Sequence, residues 1–212
     1  FSTLDHLTKG RIAWNVVTSY LADANENFGL GDQMMDHDER YDRAEEYMDV
    51  VYQLWEHSWE EDAAVRDKAR DIHNDPSKVH EINYEGKYFK VPGPHMCEPS
   101  PQRSPVIFQA GGSPRGIDFA GRHAEAVFGI FPSIEGCRIY VRKIRDATEK
   151  FGRNRTDLKV FPGITVVVAA TDAEAKQKFE DCKKYQSPEG ALALFSGWAG
   201  VDLSSLTSMD NL

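Results

Sequence analysis

The stretch PVIFQAGGSPRGIDFAGRHAEAVF, residues 105–128, decides the fold of this 212-residue chain. It opens on a short apolar run that is typical of a strand buried on both faces of a parallel sheet. A Gly-Ser-Pro-Arg-Gly turn, the helical segment IDFAGRHA and a second apolar run, AEAVFGIF, follow in that order. Two strands separated by one helix predict a parallel pair.

The same alternation extends to both sides of this stretch. Upstream, the end of a helix that stops at Gly10 is predicted in FSTLDHLTKG, and a buried strand is predicted in RIAWNVVTS. The segment DHDERYDRAEEYMDVVYQLWEHSW predicts an amphipathic helix, with Asp36 or Asp38 as its cap. Downstream we predict a helix over residues 134–151, a long strand in LKVFPGITVVVAA, and a helix capped by Thr171 in DAEAKQKFEDCKKY. Strands alternating with helices leave two architectures open, a doubly wound sheet and a (β/α)8 barrel.

Residues 60–104 interrupt the alternation, and we interpret them as an insertion. The charged segment EEDAAVRDKARDI predicts a short helix. In INYEGKYFKV, aromatic and apolar residues flank Glu85 and Gly86, a pattern that predicts a β-hairpin. The first residue is Phe1 and no closing element follows residue 199, so we expect the chain to be the middle of a longer protein.

Composition excludes several function classes. Acidic residues number 34 against 25 basic ones, and the net charge of −9 is spread along the chain, which argues against nucleic acid or an anionic membrane as a partner. No apolar run approaches the ~20 residues of a membrane span. Three well-separated cysteines, Cys97, Cys137 and Cys182, indicate neither a zinc site nor a disulfide framework, so we expect a cytoplasmic protein without a metal site.

The turn after the first quoted strand is the strongest candidate for a ligand site. Its glycines let the backbone approach a ligand, Ser113 offers a hydroxyl, and the first amide groups of the next helix form an anion site. A phosphate fits this description. An ordinary strand-to-helix turn fits it as well, because a glycine-rich turn alone is a weak signal.

Two further groups of polar residues are candidates. Asn15, Thr18 and Ser19 lie near the carboxyl end of a predicted strand, where they could bind a cofactor ring or cap the next helix. His37 and Tyr41 are four residues apart and share one helical face, so they could present an imidazole and a phenol to a phosphate. The alternative for that segment is a solvated, acid-rich helix start.

Five strings together resemble a known family. The chain is similar to the flavin-dependent monooxygenases of the bacterial-luciferase-like type, in particular their nitrilotriacetate and dibenzothiophene-sulfone monooxygenase branch. The resemblance runs in colinear order from Phe1 to about Val168, through TLDHLTKGRIAWNVVTSY, HDERYDRAEEYMDVVYQLWE, DPSKVH, GKYFKVPGPHMCEPSPQRSPVIFQAGGSPRG and FAGRHAEAVF.

The resemblance implies a (β/α)8 TIM barrel of the bacterial-luciferase type, of which residues 1–212 would be a partial barrel with an insertion. It implies a two-component system, in which a separate NAD(P)H-dependent flavin reductase supplies FMN as FMNH2. The oxygenase would use O2, through a flavin C4a-peroxide, to oxidise a small organic substrate such as a nitrilotriacetate-like or organosulfur compound. A homo-oligomer is expected.

The resemblance also implies which residues bind FMN. By position, His37, Tyr41 and Ser113 would hold the cofactor, with Tyr41 and Ser113 at its phosphate, and Asn15 and Ser19 would lie near the flavin ring. It assigns no catalytic residue within the chain. Two alternatives stay open: a deazaflavin-dependent oxidoreductase of the same fold, and a non-catalytic flavin-binding homologue.

Overall fold

The computed structural model describes residues 1–19, 22–29 and 35–199, which belong to two compact units. The first unit comprises Phe1–Thr18 and Asp36–Gly163, and the second comprises Ser19–Met35 and Ile164–Leu212. The α-helices are α1 (Ser2–Thr8), α2 (Ala22–Asn27), α3 (His37–Tyr52), α4 (Pro114–His123), α5 (Ile134–Lys150), α6 (Asp172–Lys183) and α7 (Pro188–Ala199). The strands are β1 (Ala13–Val16), β2 (Ala64–Asp67), β3 (Ile72–Asn74), β4 (Tyr84–Glu85), β5 (Lys90–Val91), β6 (Val106–Gln109), β7 (Ala126–Gly129) and β8 (Lys159–Pro162).

The centre of the first unit is a parallel sheet. In the part of the chain that the structure describes, this sheet has four strands in the order β1-β6-β7-β8. Asn15 pairs in register with Phe108, and Phe128 pairs with Phe161. Helix α4 connects β6 to β7 and helix α5 connects β7 to β8, as a βαβ arrangement requires.

The helices of this unit cover one face of the sheet. Val16, Ile107 and Val127 are buried in a single core cluster with apolar residues of α3, α4 and α5. On the opposite face, Phe108 contacts the rings of Phe128 and Phe161 at centroid distances of 6.5 and 6.1 Å.

This arrangement decides between the two predicted architectures. Phe128 and Phe161 are 42% and 52% exposed, so no described helix of the first unit covers that face. A doubly wound sheet carries helices on both faces, whereas a barrel wall carries them on the outer face only. The predicted fold class, a partial (β/α)8 barrel, is confirmed, and the face with the aromatic rings is the inner one.

Several local predictions are confirmed. Helix α1 ends at Lys9 and Gly10, which have φ angles of 56° and 75°. Strands β4 and β5 form the predicted antiparallel hairpin. In the second unit, Thr171 caps α6 by accepting a hydrogen bond from the amide of Glu174 at 3.2 Å.

Two local predictions are wrong, and a third is confirmed only in part. The predicted helix in residues 60–72 is instead the antiparallel pair β2–β3, because the Asp67 carboxylate accepts the amides of Ala69 and Arg70 and closes a turn between the strands. The predicted long strand ends at Pro162, and the apolar residues after it lie in the second unit. Asp36 occupies the cap position of α3, but its side chain makes no capping hydrogen bond. That residues 60–104 are an insertion stays a prediction.

Helices α6 and α7 of the second unit begin alike. Ser187 Oγ accepts a hydrogen bond from the amide of Gly190 at 3.0 Å, so it caps α7 as Thr171 caps α6. Among the residues that the structure describes, no helix combines the length and the apolar character that crossing a membrane requires.

Helices α3 and α4 are joined by the carboxylate of Glu45, which is largely buried. Arg115 and Arg122 approach it at 3.3 and 2.8 Å, and His123 Nε2 lies 2.8 Å away. Burial by itself raises the pKa of Glu45, but the hydrogen bond from His123 and the charges of Arg122 and Arg115 outweigh it and hold the pKa below its usual value. Arg115 also binds Asp42 at 2.7 Å.

Helices α4 and α5 touch through a glycine. A Cβ atom at Gly121 would lie 2.8 Å from the Cβ atom and from the carbonyl carbon of Ala147. We predict that Gly121→Ala lowers the free energy of unfolding by about 1–3 kcal/mol, because overpacking costs more than the gain in helix propensity. Urea denaturation of the full-length protein measures this.

Gly136→Ala is the matched control, because a Cβ atom there would lie 3.4 Å from its nearest neighbour, Ser133 Oγ. We expect it to retain the wild-type stability within about 1 kcal/mol. Equal stabilities for Gly121→Ala and Gly136→Ala would show that α4 and α5 can separate without cost.

A second prediction concerns acid stability. Replacing Glu45 by Gln should lower the free energy of unfolding by about 1–3 kcal/mol near neutral pH, because Arg115, Arg122 and His123 lose their shared acceptor charge. The folded-state pKa of Glu45 lies below its ordinary 4.5. Its contribution is therefore present above that value and is lost as the pH falls through the folded-state pKa.

The measurement compares wild type and Glu45→Gln by urea denaturation across the acid range. The difference between them should shrink as the pH falls below 4.5 and through the lowered folded-state pKa of Glu45. Glu135→Gln serves as the control, since Glu135 forms only exposed ion pairs with Arg138 and Arg142 and such pairs contribute under about 1 kcal/mol. A difference that is independent of pH would contradict the prediction.

Candidate functional site

The carboxyl end of β6 carries a buried glutamine that touches two parts of the predicted site. Gln109 is 3% exposed. Its Nε2 atom donates a hydrogen bond to Tyr41 Oη at 3.3 Å, and its Oε1 atom accepts one from the amide of Gly111 at 2.7 Å. The side chain therefore links α3 to the glycine turn that precedes α4.

A tyrosine from α5 holds the same turn. Tyr140 Oη donates a hydrogen bond to the carbonyl of Gly111 at 2.9 Å. Burial, and then the proximity of Tyr41, raise the pKa of Tyr140 to about 12, so its hydroxyl stays protonated and can donate. A Cβ atom at residue 111 would collide with the amide group of Gln109, so this side-chain position depends on glycine at residue 111.

Tyr41 and Ser113 meet at Gly116. Ser113 caps α4 by accepting a hydrogen bond from the Gly116 amide at 3.1 Å. A Cβ atom at Gly116 would lie 2.7 Å from Tyr41 Oη and 3.2 Å from Ser113 Oγ. The Cα atom of Gly111 would also lie 3.2 Å from that Cβ atom, so Gly116 packs closely against the turn and the two hydroxyl groups lie near the same backbone position.

His37 lies beside Tyr41, as their spacing predicts. The two rings are 5.2 Å apart between centroids, and Tyr41 also packs on Phe119 at 5.6 Å. The two residues differ in burial, since Tyr41 is 6% exposed whereas His37 is exposed. His37 Nδ1 lies 2.7 Å from Asp38 Oδ1, so that nitrogen is engaged within the first turn of α3.

A pocket opens between the carboxyl ends of β6 and β7, with a volume of about 440 Å³. The glycine turn forms one side and the start of α5 the other. Lys143 contributes a positively charged side chain to the lining of the pocket. It forms no ion pair with any of the described residues. The remaining lining residues are mostly apolar: Ala110, Gly111, Gly112, Ile117, Phe128, Gly129, Ile130, Phe131, Pro132, Gly136, Ile139 and Tyr140.

Asn15 and Ser19 occupy different places. Asn15 is exposed on β1 and pairs with Phe108, so it lies on the inner face of the sheet, while Gln109 points to the helices. Ser19 has a φ angle of 66° and belongs to the second unit. Of the predicted cofactor-binding residues that belong to the first unit, the structure brings together His37, Tyr41 and Ser113.

Sequence reasoning included Gly116 in the glycine turn, gave Gln109 no role of its own, and missed Tyr140 and Lys143. One signal was available for Gln109, which is a polar residue inside an otherwise apolar strand, directly before the glycine turn. Nothing in the sequence marks Tyr140 or Lys143, because both lie on a helix of ordinary amphipathic pattern about 30 residues further on.

Comparison with known proteins gives a consistent result. The family model for luciferase-like monooxygenases matches residues 1–200. The long-chain alkane monooxygenase of Geobacillus thermodenitrificans is 56% identical over 99% of this chain and 47% of its own length. The dimethyl-sulfide monooxygenase of Hyphomicrobium sulfonivorans is 54% identical over 97% of this chain and 42% of its own length. Nitrilotriacetate monooxygenase component A of Aminobacter aminovorans is 42% identical over 96% of this chain and 45% of its own length.

Solved structures agree with the sequence matches. The crystal structure of a long-chain alkane monooxygenase superposes with a TM-score of 0.90 at 56% identity, over 97% of this chain and 47% of that one. A riboflavin lyase with modified FMN and riboflavin superposes with a TM-score of 0.89 at 44% identity, over 100% and 47%.

The chain spans about half the length of the curated relatives it matches. Within that half, the overall fold agrees with the solved relatives. The predicted resemblance to the nitrilotriacetate monooxygenase branch is also confirmed. By its sequence and by its fold, the chain belongs to the luciferase-like monooxygenase family.

Proposed function

We propose that the chain is part of the oxygenase component of a two-component monooxygenase that uses FMNH2 and O2 to oxidise a small organic substrate. The observation that carries the proposal is the convergence of Tyr41 and Ser113 on Gly116 beside a pocket at the carboxyl ends of parallel strands. In α/β barrels, ligands bind at that end of the strands.

The residues present fit the phosphate of FMN. Two hydroxyl groups, Tyr41 Oη and Ser113 Oγ, lie close to Gly116, and the backbone is open at Gly112, where a Cβ atom would meet nothing within 4 Å. The amides of Gly112 and Ser113 have no hydrogen-bond partner among the described residues. Free amides and hydroxyl groups are donors suited to a phosphate. Gly112 and Lys143 both line the pocket, whereas Tyr41 and Ser113 lie beside it.

The inner face of the sheet fits the flavin ring. Phe108, Phe128 and Phe161 form a continuous aromatic surface, and Asn15 adds a polar group at its β1 edge. When bound, FMNH2 supplies the oxygen-activating chemistry. We infer that this face packs against the ring and keeps water from it, while Asn15 offers a hydrogen bond to the ring edge.

The remaining partners follow from the relatives. One of them is named component A, which implies a second component, and we propose that a separate NAD(P)H-dependent flavin reductase supplies the reduced flavin. The relatives with 56% and 54% identity are named for an alkane and for dimethyl sulfide. We therefore propose a small apolar or organosulfur substrate, in keeping with the aromatic inner face.

We predict that Ser113→Ala weakens the binding of FMNH2 by about 1–3 kcal/mol, because it removes a charge-assisted contact to the phosphate. Anaerobic titration of the full-length protein with FMNH2 measures this. The variant also loses a helix cap, which costs about 1 kcal/mol of stability. That effect needs a control of its own.

Ser187→Ala provides the control. Ser187 begins the sequence Ser-Pro-Glu-Gly and caps α7 with the same bond to the amide three residues on, as Ser113 does in Ser-Pro-Arg-Gly. Ser187→Ala should lose similar stability and retain the affinity for FMNH2. Equal affinities for wild type and both variants would refute a phosphate site at Ser113.

The reaction class has its own test. With FMNH2, labelled O2 and dimethyl sulfide, the full-length protein should transfer one labelled oxygen atom to the substrate, which mass spectrometry detects. Oxidation of a substrate by a deazaflavin in the absence of O2 would favour the hydride-transfer alternative. Tight flavin binding without turnover of any small organic sulfide or alkane would favour a non-catalytic homologue.

A further inference from the structure

We propose that Gln109 is a positioning residue for phosphate recognition, which orients the hydroxyl group of Tyr41 so that it donates its proton to the bound anion. This inference rests on the proposed function, since it takes the ligand phosphate to lie at Tyr41 and Ser113. Gln109 itself does not contact the ligand. It acts through Tyr41 and through the glycine turn.

The orientation of the Gln109 amide is fixed by its two neighbours. The amide of Gly111 can only donate, so the atom of Gln109 that lies 2.7 Å from it must be the oxygen. The nitrogen then faces Tyr41 Oη at 3.3 Å. Because Nε2 can only donate a hydrogen bond, Tyr41 Oη is the acceptor in this bond.

The consequence for the phenol follows directly. An oxygen that accepts from Gln109 must direct its own hydrogen elsewhere, and among the described residues no other hydrogen-bond partner of Tyr41 Oη is found. Tyr41 is 6% exposed, so its unused donor is largely removed from water. A buried donor without an acceptor is costly, and an anion bound within reach of Tyr41 Oη would accept its hydrogen.

Gln109 also limits the motion of the turn that carries Ser113. The amide of Gly111 is held by Gln109 and its carbonyl by Tyr140. Both backbone polar groups of this glycine are therefore fixed by side chains from different elements. A turn fixed in this way loses little conformational entropy when a ligand binds.

The test uses the full-length protein and two ligands that differ only in the phosphate, FMNH2 and reduced riboflavin, with riboflavin measured as a competitor of FMNH2. Wild type should bind FMNH2 more tightly. Gln109→Met should weaken FMNH2 binding by about tenfold and leave the affinity for riboflavin unchanged. In the Tyr41→Phe background, the same substitution should cost about threefold or less, since the hydroxyl it acts through is gone.

A second variant separates orientation from packing. Gln109→Glu retains an acceptor for the Gly111 amide, but a carboxylate accepts from Tyr41 rather than donating to it. It should therefore weaken FMNH2 binding at least as much as Gln109→Met, even though the turn is still held. Gln102→Met is the matched control, because Gln102 also makes two side-chain bonds, to Asp5 at 2.6 Å and to Ile12 at 3.0 Å, away from the site.

Four outcomes would overturn the inference. Gln109 would be merely structural if Gln109→Met weakened the binding of FMNH2 and of riboflavin alike. The same would follow if Gln109→Met lowered FMNH2 affinity as much in the Tyr41→Phe background as in wild type. A Gln109→Glu variant that binds FMNH2 like wild type would exclude the orienting role. If wild type itself does not distinguish FMNH2 from riboflavin, the phosphate site of the proposed function fails together with the inference.

Discussion

One carboxylate, that of Glu45, holds together the two helices from which the candidate site is built. It lies on α3 and receives Arg115, Arg122 and His123 from α4. Tyr41 stands one turn before Glu45 on the same helix, and Ser113 directly precedes α4. Because a charge inside the fold is stable only when it is paired, the network fixes how α3 lies on α4, and with it the spacing of the two hydroxyl groups.

The sheet gives strand β6 two functions at once. Side chains alternate between its faces, so Ile107 enters the core under the helices while Phe108 faces inward. Gln109 returns to the helix side at the point where the strand ends, and there it meets Tyr41. A strand of four residues thus supplies core packing, a wall for a ligand and the anchor of the turn that follows it.

Much of this could be predicted from the sequence. The alternation of strands and helices, the cap at Thr171 and the shared face of His37 and Tyr41 are local patterns, and local patterns are visible in one chain. The pair β2–β3 was missed because the Asp67 side chain decides its turn. Tyr140 was missed because its contact with the glycine turn spans 29 residues, which no periodicity reveals.

The engagement of Arg115 by Asp42 and Glu45 has an electrostatic consequence for α4. The peptide dipoles of a helix place about half a positive charge at its N-terminus. Helices α3, α5, α6 and α7 each carry an acidic residue in the first turn that offsets this charge, and α4 carries none. Arg115 would add to the excess, but its charge is neutralised by α3. A bound dianion would therefore complete the charge balance of α4, so that ligand affinity and the stability of this helix are thermodynamically linked.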